Sequence, residues 1–194
     1  MRKIGFDLDN TIIDYSNSVL KYCSLKNIAN VDSIEKLRKL LKISEVNQER
    51  WIEAQSWIYG PGLKYSEVAP NFVNLCSKLK SLDFEISVFS HKTQYGPERF
   101  GSQPFRALSL NWIANSVASE YLRDGENIHF FDNLDSKINS IKSYKPDIYI
   151  DDLLTVFTHK NYNKRIKSFL YRGEPNNLEW LKILHDFKEV EQFL

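Results

Sequence analysis

Residues 3–11 read Lys3-Ile4-Gly5-Phe6-Asp7-Leu8-Asp9-Asn10-Thr11, an apolar run that ends in two carboxylates two positions apart. The run Lys3 to Leu8 has the composition of a buried strand. If Asp7 and Asp9 both kept strand geometry they would point the same way. Two like charges so close repel unless a cation or a proton is shared between them. A divalent ion meets that need, and hard oxygen donors with few protein ligands suit Mg²⁺, which completes its shell with water and a substrate phosphate. In a parallel sheet the carboxyl ends of strands are where ligands bind.

Working outward, the strand signal returns at Phe84 to Phe89, Asn127 to Phe131, Asp147 to Ile150 and Arg165 to Tyr171. Helical spacing covers Asn71 to Leu82, Ala107 to Leu122, Ser136 to Ser143, Leu153 to His159 and Asn177 to Phe193. Short strands alternating with helices predict an α/β fold, a mostly parallel sheet with helices on both faces. One stretch breaks the rhythm. From Tyr15 to about Lys64 the sequence is charged and helical in texture, with Ile34, Leu37, Leu40, Leu41 and Ile43 periodic and no strand signal. It reads as a helical insertion, and Gly60-Pro61-Gly62, the strongest breaker cluster, marks its return as a hinge.

The chain has 194 residues, of which 42% are hydrophobic and 26% charged, enough for a packed core domain with a modest insertion. Disordered and low-complexity classes are excluded. Twenty-six basic residues against 25 acidic give a net charge of +1, so no bulk field draws the chain to a nucleic acid polymer or an anionic membrane. Cys23 and Cys76 lack metal-ligand spacing and read as reduced thiols of a cytoplasmic protein. The first apolar segment meets Asp7 too soon to be a secretory or membrane segment.

A second acidic pair, Asp151-Asp152, ends the strand Asp147 to Ile150 in the manner of the first. Ser90 ends the strand Phe84 to Phe89, and Lys137 lies in the helix that leads to Asp151. An isolated Asp after a strand is usually a turn or cap residue; two acidic clusters with a hydroxyl and a lysine between them, all at strand ends or next to them, form a constellation. Lys142 also precedes Asp151 and is the alternative lysine. His91 and Lys92 read as a solvated loop, and Asp132-Asn133 as a helix cap. Arg50, Trp51, Trp57 and Tyr59 fit either a substrate pocket or, the reading we favour, core packing.

On these motifs the sequence resembles the haloacid dehalogenase-like hydrolase superfamily, from Lys3 to about Phe157, with Asp7-Leu8-Asp9-Asn10-Thr11 as the most specific element. The family usually has Gly where Asn10 stands. The resemblance implies a three-layer, Rossmann-like core made of residues 1–14 and 65–194, with residues 15–64 as a small helical cap. It implies that Asp7 is the nucleophile and Asp9 the general acid/base. It also implies that Ser90 holds a phosphoryl oxygen, that Lys137 neutralises charge, and that Asp151 or Asp152 completes the metal site with Asp7. Asn10 and Thr11 would add backbone N–H groups to the same anion.

The chemistry agrees with those roles. A carboxylate can take a phosphoryl group and split one displacement into two; a second can protonate the leaving oxygen and then activate water. The expectation is an Mg²⁺-dependent phosphatase of a small phosphorylated metabolite, with no organic cofactor. A phosphomutase shares the same residues, and an inactive binding protein would have lost some of them. Asp9 argues against dehalogenation, because halide leaves without a proton. The Ile150-Asp151-Asp152 ending resembles the deoxyribonucleotidase branch, so a nucleoside monophosphate and a sugar phosphate are both candidate substrates.

Overall fold

A computed structural model describes residues 1–41, 48–122 and 126–171. The helix expected over Asn177 to Phe193, and Ile43 of the insertion, lie outside the described residues. Five parallel strands form the sheet: β1 (Arg2–Phe6), β4 (Phe84–His91), β5 (Ile128–Phe131), β6 (Ile148–Asp151) and β7 (Lys167–Leu170). Their order is β5-β4-β1-β6-β7, which puts β1 and its two carboxylates at the centre. A short antiparallel pair, β2 (Ile13–Asp14) and β3 (Glu67–Val68), joins the ends of the stretch that follows β1.

Strand alternation divides the core into two layers. Ile4 and Phe6 of β1, Ile86 and Val88 of β4, and Ile148 and Ile150 of β6 belong to one cluster, packed with Phe72, Leu75 and Leu79 of α4 (Phe72–Ser81). Their neighbours Phe89 and Tyr149 belong to the other cluster, with Ile138 and Ile141 of α6 (Leu134–Tyr144) and Val156 of α7 (Leu154–Phe157). Gly5 faces this second layer. A Cβ there would meet the Tyr149 ring at 2.7 Å, so the missing side chain is what lets Tyr149 cross the central strand. This is the three-layer α/β architecture expected from the sequence.

Between β2 and β3 the chain forms α1 (Ser16–Lys26), α2 (Ile34–Leu41), α3 (Gln48–Tyr59) and a 3₁₀ turn (Pro61–Tyr65). Leu37, Leu41, Trp51, Ala54 and Ile58 are buried there, and they join the first core layer rather than a separate one. Gly62 is wedged against Trp57, and its carbonyl accepts from the buried Ser18 hydroxyl at 2.8 Å.

Two elements differ from expectation. The helix expected over Ala107 to Leu122 is α5 (Phe105–Ala114) followed by a 3₁₀ turn (Val117–Glu120), because the Ser116 hydroxyl accepts from the Ala118 N–H and starts a new turn. The helix expected from Ser136 starts two residues earlier, where the Asn133 side chain accepts from the Ser136 N–H at 2.8 Å. Cys23 and Cys76 are both buried free thiols, and no described helix is long and apolar enough to cross a membrane.

Candidate active site

The strand β1 stops at Phe6, and the backbone then folds over itself: the N–H groups of Ile12 and Ile13 both donate to the Leu8 carbonyl at 2.9 Å. Asn10 sits in the left-handed region at φ 59°, a conformation that Gly adopts freely and Asn tolerates better than most residues. That accounts for Asn rather than a bulkier or β-branched residue at this position. The turn also removes the condition under which the two carboxylates would point the same way. Asp9 has left strand geometry and takes partners of its own.

Asp7 follows Phe6, so it lies on the face of Gly5 and Tyr149. Its N–H donates to the Ile150 carbonyl at 2.8 Å. Lys137, one turn into α6, brings its Nζ to 2.5 Å from Asp7 Oδ1 and 2.7 Å from Asp151 Oδ2. All three side chains are buried. Asp151 accepts two further hydrogen bonds, from the Tyr149 hydroxyl to Oδ2 at 3.2 Å and from the Leu153 N–H to Oδ1 at 2.9 Å. Lys142, the alternative lysine, is exposed.

Carboxylate oxygens of Asp7, Asp151 and Asp152 all lie within 4.8 Å of one another. Asp9 stands outside that group. Burial pushes the Asp7 carboxyl up to about 7; Lys137 opposes the rise, and the charges of Asp151 and Asp9 add to it. Asp152 is also held well above the usual carboxylate range, by burial and then by Asp7 and Asp151. Burial alone would lower Lys137, but the two carboxylates more than offset it and hold the ammonium above the ordinary lysine range. Three carboxylates against one ammonium leave the cluster short of positive charge. Its donors are hard oxygens, so the residues present fit Mg²⁺.

Ser90 and Thr11 are buried, and neither hydroxyl has a hydrogen-bond partner among the described residues. Buried polar groups are seldom left unpaired, so these two hydroxyls are free to bond water or a bound anion at the carboxyl end of the sheet.

The reading of Lys92 as a solvated loop residue is overturned. Its side chain is 3% exposed, and Nζ lies 2.7 Å from Asp9 Oδ1. The physical reason is register: β4 extends to His91, the Lys92 N–H continues the ladder to the Phe131 carbonyl at 3.0 Å, and Lys92 therefore faces the same way as Ser90. The signal was present in the sequence as period two beyond Ser90. His91 is exposed, as expected. Of the insertion residues, Arg50 is exposed and Trp51 is in the core, while the partly buried Trp57 packs against the core and stacks with Tyr65. Of these four, Tyr59 comes nearest the site, its ring 5.0 Å from Tyr15 and 5.0 Å from Lys92 Nζ. Asp132 pairs with Arg106 at 2.5 Å and leaves the helix cap to Asn133.

Neither a family model nor a curated protein matches the sequence. The fold does find matches. Over 96% of the chain it is similar to a haloacid dehalogenase-like family hydrolase from Streptococcus pneumoniae, with TM-score 0.62, 14% identity and 98% of that chain covered. A second hydrolase from Streptococcus pneumoniae is matched over 94% of this chain and 98% of its own, with TM-score 0.56 and 14% identity. A HAD hydrolase from Entamoeba histolytica is matched over 94% and 89%, with TM-score 0.54 and 14% identity. The chain therefore has the haloacid dehalogenase-like fold.

Proposed function

We propose that the protein is an Mg²⁺-dependent phosphatase that hydrolyses a small phosphorylated metabolite, a sugar phosphate or nucleoside monophosphate, through an aspartyl-phosphate on Asp7. The observation that carries this reading is the carboxylate cluster at the end of the central strand, deficient in positive charge and accompanied by two unpartnered hydroxyls.

Asp7 and Asp152 would hold the metal, with Asp151 committed to Lys137 and Tyr149. When bound, the ion supplies positive charge to the transferring phosphoryl group. Asp7 attacks phosphorus in line with the leaving oxygen. Asp9, entering as the carboxylic acid, gives that oxygen its proton, and the carboxylate so formed takes a proton from the water that cleaves the aspartyl-phosphate, which restores the acid. Lys137, the hydroxyls of Ser90 and Thr11, and the backbone of Asn10 and Thr11 stabilise the equatorial oxygens. Residues 15–64 act as a cap whose contacts select the substrate, with Tyr15 on Asp9 and Tyr59 over Lys92 closest to the reaction.

The test is turnover of a panel of phosphorylated metabolites and of p-nitrophenyl phosphate, with Mg²⁺ and with excess EDTA. The reading expects hydrolysis that EDTA abolishes. Turnover that persists in EDTA would falsify the metal assignment.

A further inference from the structure

Lys92 is a buried ammonium that the phosphatase roles above leave unused. Its Nζ meets Asp9 Oδ1 at 2.7 Å, the Ser109 hydroxyl at 2.9 Å and the Tyr15 hydroxyl at 3.4 Å, with the Tyr59 ring centroid 5.0 Å away. Its backbone is fixed as well, because Arg106 Nε donates to the Lys92 carbonyl at 2.8 Å. Burying an ammonium is costly unless its protons are matched. Here one partner is a carboxylate and another is the fully buried Ser109 of α5. The Tyr15 hydroxyl donates to the same oxygen, Asp9 Oδ1, at 2.5 Å. Two donors from different elements, the end of β4 and the start of α1, thus converge on one carboxylate oxygen, and neither takes Oδ2.

We propose that Lys92, with Tyr15, is the positioning residue of Asp9: the two donors fix Oδ1 and so aim Oδ2 at the leaving group and then at the attacking water. This rests on the phosphatase reading above. Lys92 touches neither substrate nor metal in this account. It acts through Asp9, where proton transfer depends on reach and direction. The cover of Tyr59 over Lys92, and of Tyr15 under Tyr59, ties this arrangement to α3.

The experiment compares p-nitrophenyl phosphate, whose leaving group needs little proton assistance, with phenyl phosphate, whose leaving group needs more, in Mg²⁺ by stopped flow. For Lys92→Met, with folding checked by circular dichroism, steady-state turnover of phenyl phosphate should fall by about a hundredfold, within the range of general acid–base contributions. The first turnover of p-nitrophenyl phosphate should persist as a burst, followed by a slow phase limited by water attack, with KM falling together with that slow rate. Tyr15→Phe removes one hydroxyl, keeps the ring, and should show the same pattern at about tenfold; it decides the matter if Lys92→Met does not fold. A merely structural role would lower the burst and the steady rate together, or neither, and either result overturns the proposal. If the wild type turns over neither ester, the phosphatase reading fails and takes this inference with it. A wild type that is active beside flat variants sinks the inference alone.

Discussion

Asp7 and Asp9 stand two residues apart, yet they meet different charge environments from opposite faces of the sheet. Asp7 shares Lys137 with Asp151, and Asp152 adds a further carboxylate, so that side is short of positive charge. Asp9 has Lys92 as its ion-pair partner, and a tyrosine hydroxyl besides. Lys137 comes from α6 on the Tyr149 face, whereas Lys92 continues the face of Ile86 and Val88. The difference teaches a division of labour: the side with unmatched carboxylates suits a divalent cation and a charged nucleophile, and the matched side suits a carboxyl that moves protons while staying in place.

The sharpest way to break this contrast is Asp7→Asn. It removes the proposed nucleophile and should lower turnover by about three orders of magnitude or more, measured on p-nitrophenyl phosphate. The same change relieves the charge shortage, so the metal-free variant should melt no lower than the wild type. Next comes Lys137→Ala, which should cost about 2–4 kcal/mol of transition-state stabilisation, while Lys142→Ala at an exposed position leaves kinetics unchanged. Equal and small effects of the two would assign the wrong lysine to the cluster.

A pH experiment sharpens the comparison further. The Asp7 carboxyl is raised to about 7 in the folded protein, above its unfolded value, so the native state binds the extra proton between those values. Stability of the metal-free protein contributed by this group is therefore present at low pH and lost as pH rises through about 7. Mg²⁺ competes with that proton. Its effect on the melting temperature should be larger at pH 8 than at pH 5; a shift independent of pH would place the metal elsewhere. The smallest effect belongs to the proposed cap. Arg50→Ala should alter the ranking of natural substrates and leave turnover of p-nitrophenyl phosphate largely intact, and parallel losses on both would move that segment into the reaction itself.

The sheet was legible because each strand is a compact apolar run, and Asp7, Lys137 and the second acidic pair because they follow such runs in chain order. The turn after Phe6 was harder to read. Whether strand geometry continues to Asp9 depends on the left-handed Asn10 and the Leu8 carbonyl taking two N–H groups, neither of which hydrophobic spacing encodes. Lys92 was missed for a related reason: a charged residue after a strand usually marks solvent, and only the partners brought by Tyr15 and Ser109, distant in sequence, make its burial affordable. Tyr59 could be placed on a helix but not over a site, since that depends on how α3 packs against Tyr15 and Phe105.

The central claim is that Asp7 carries the phosphoryl group. The most direct measurement uses Asp9→Asn, which should form the phosphoenzyme and hydrolyse it slowly. The variant is mixed with p-nitrophenyl phosphate and Mg²⁺, quenched in acid, and its peptides are mapped by mass spectrometry. The account predicts a phosphoryl group on Asp7, absent in excess EDTA. A modification at any other residue, or one on Asp7 that forms equally well in EDTA, would contradict it.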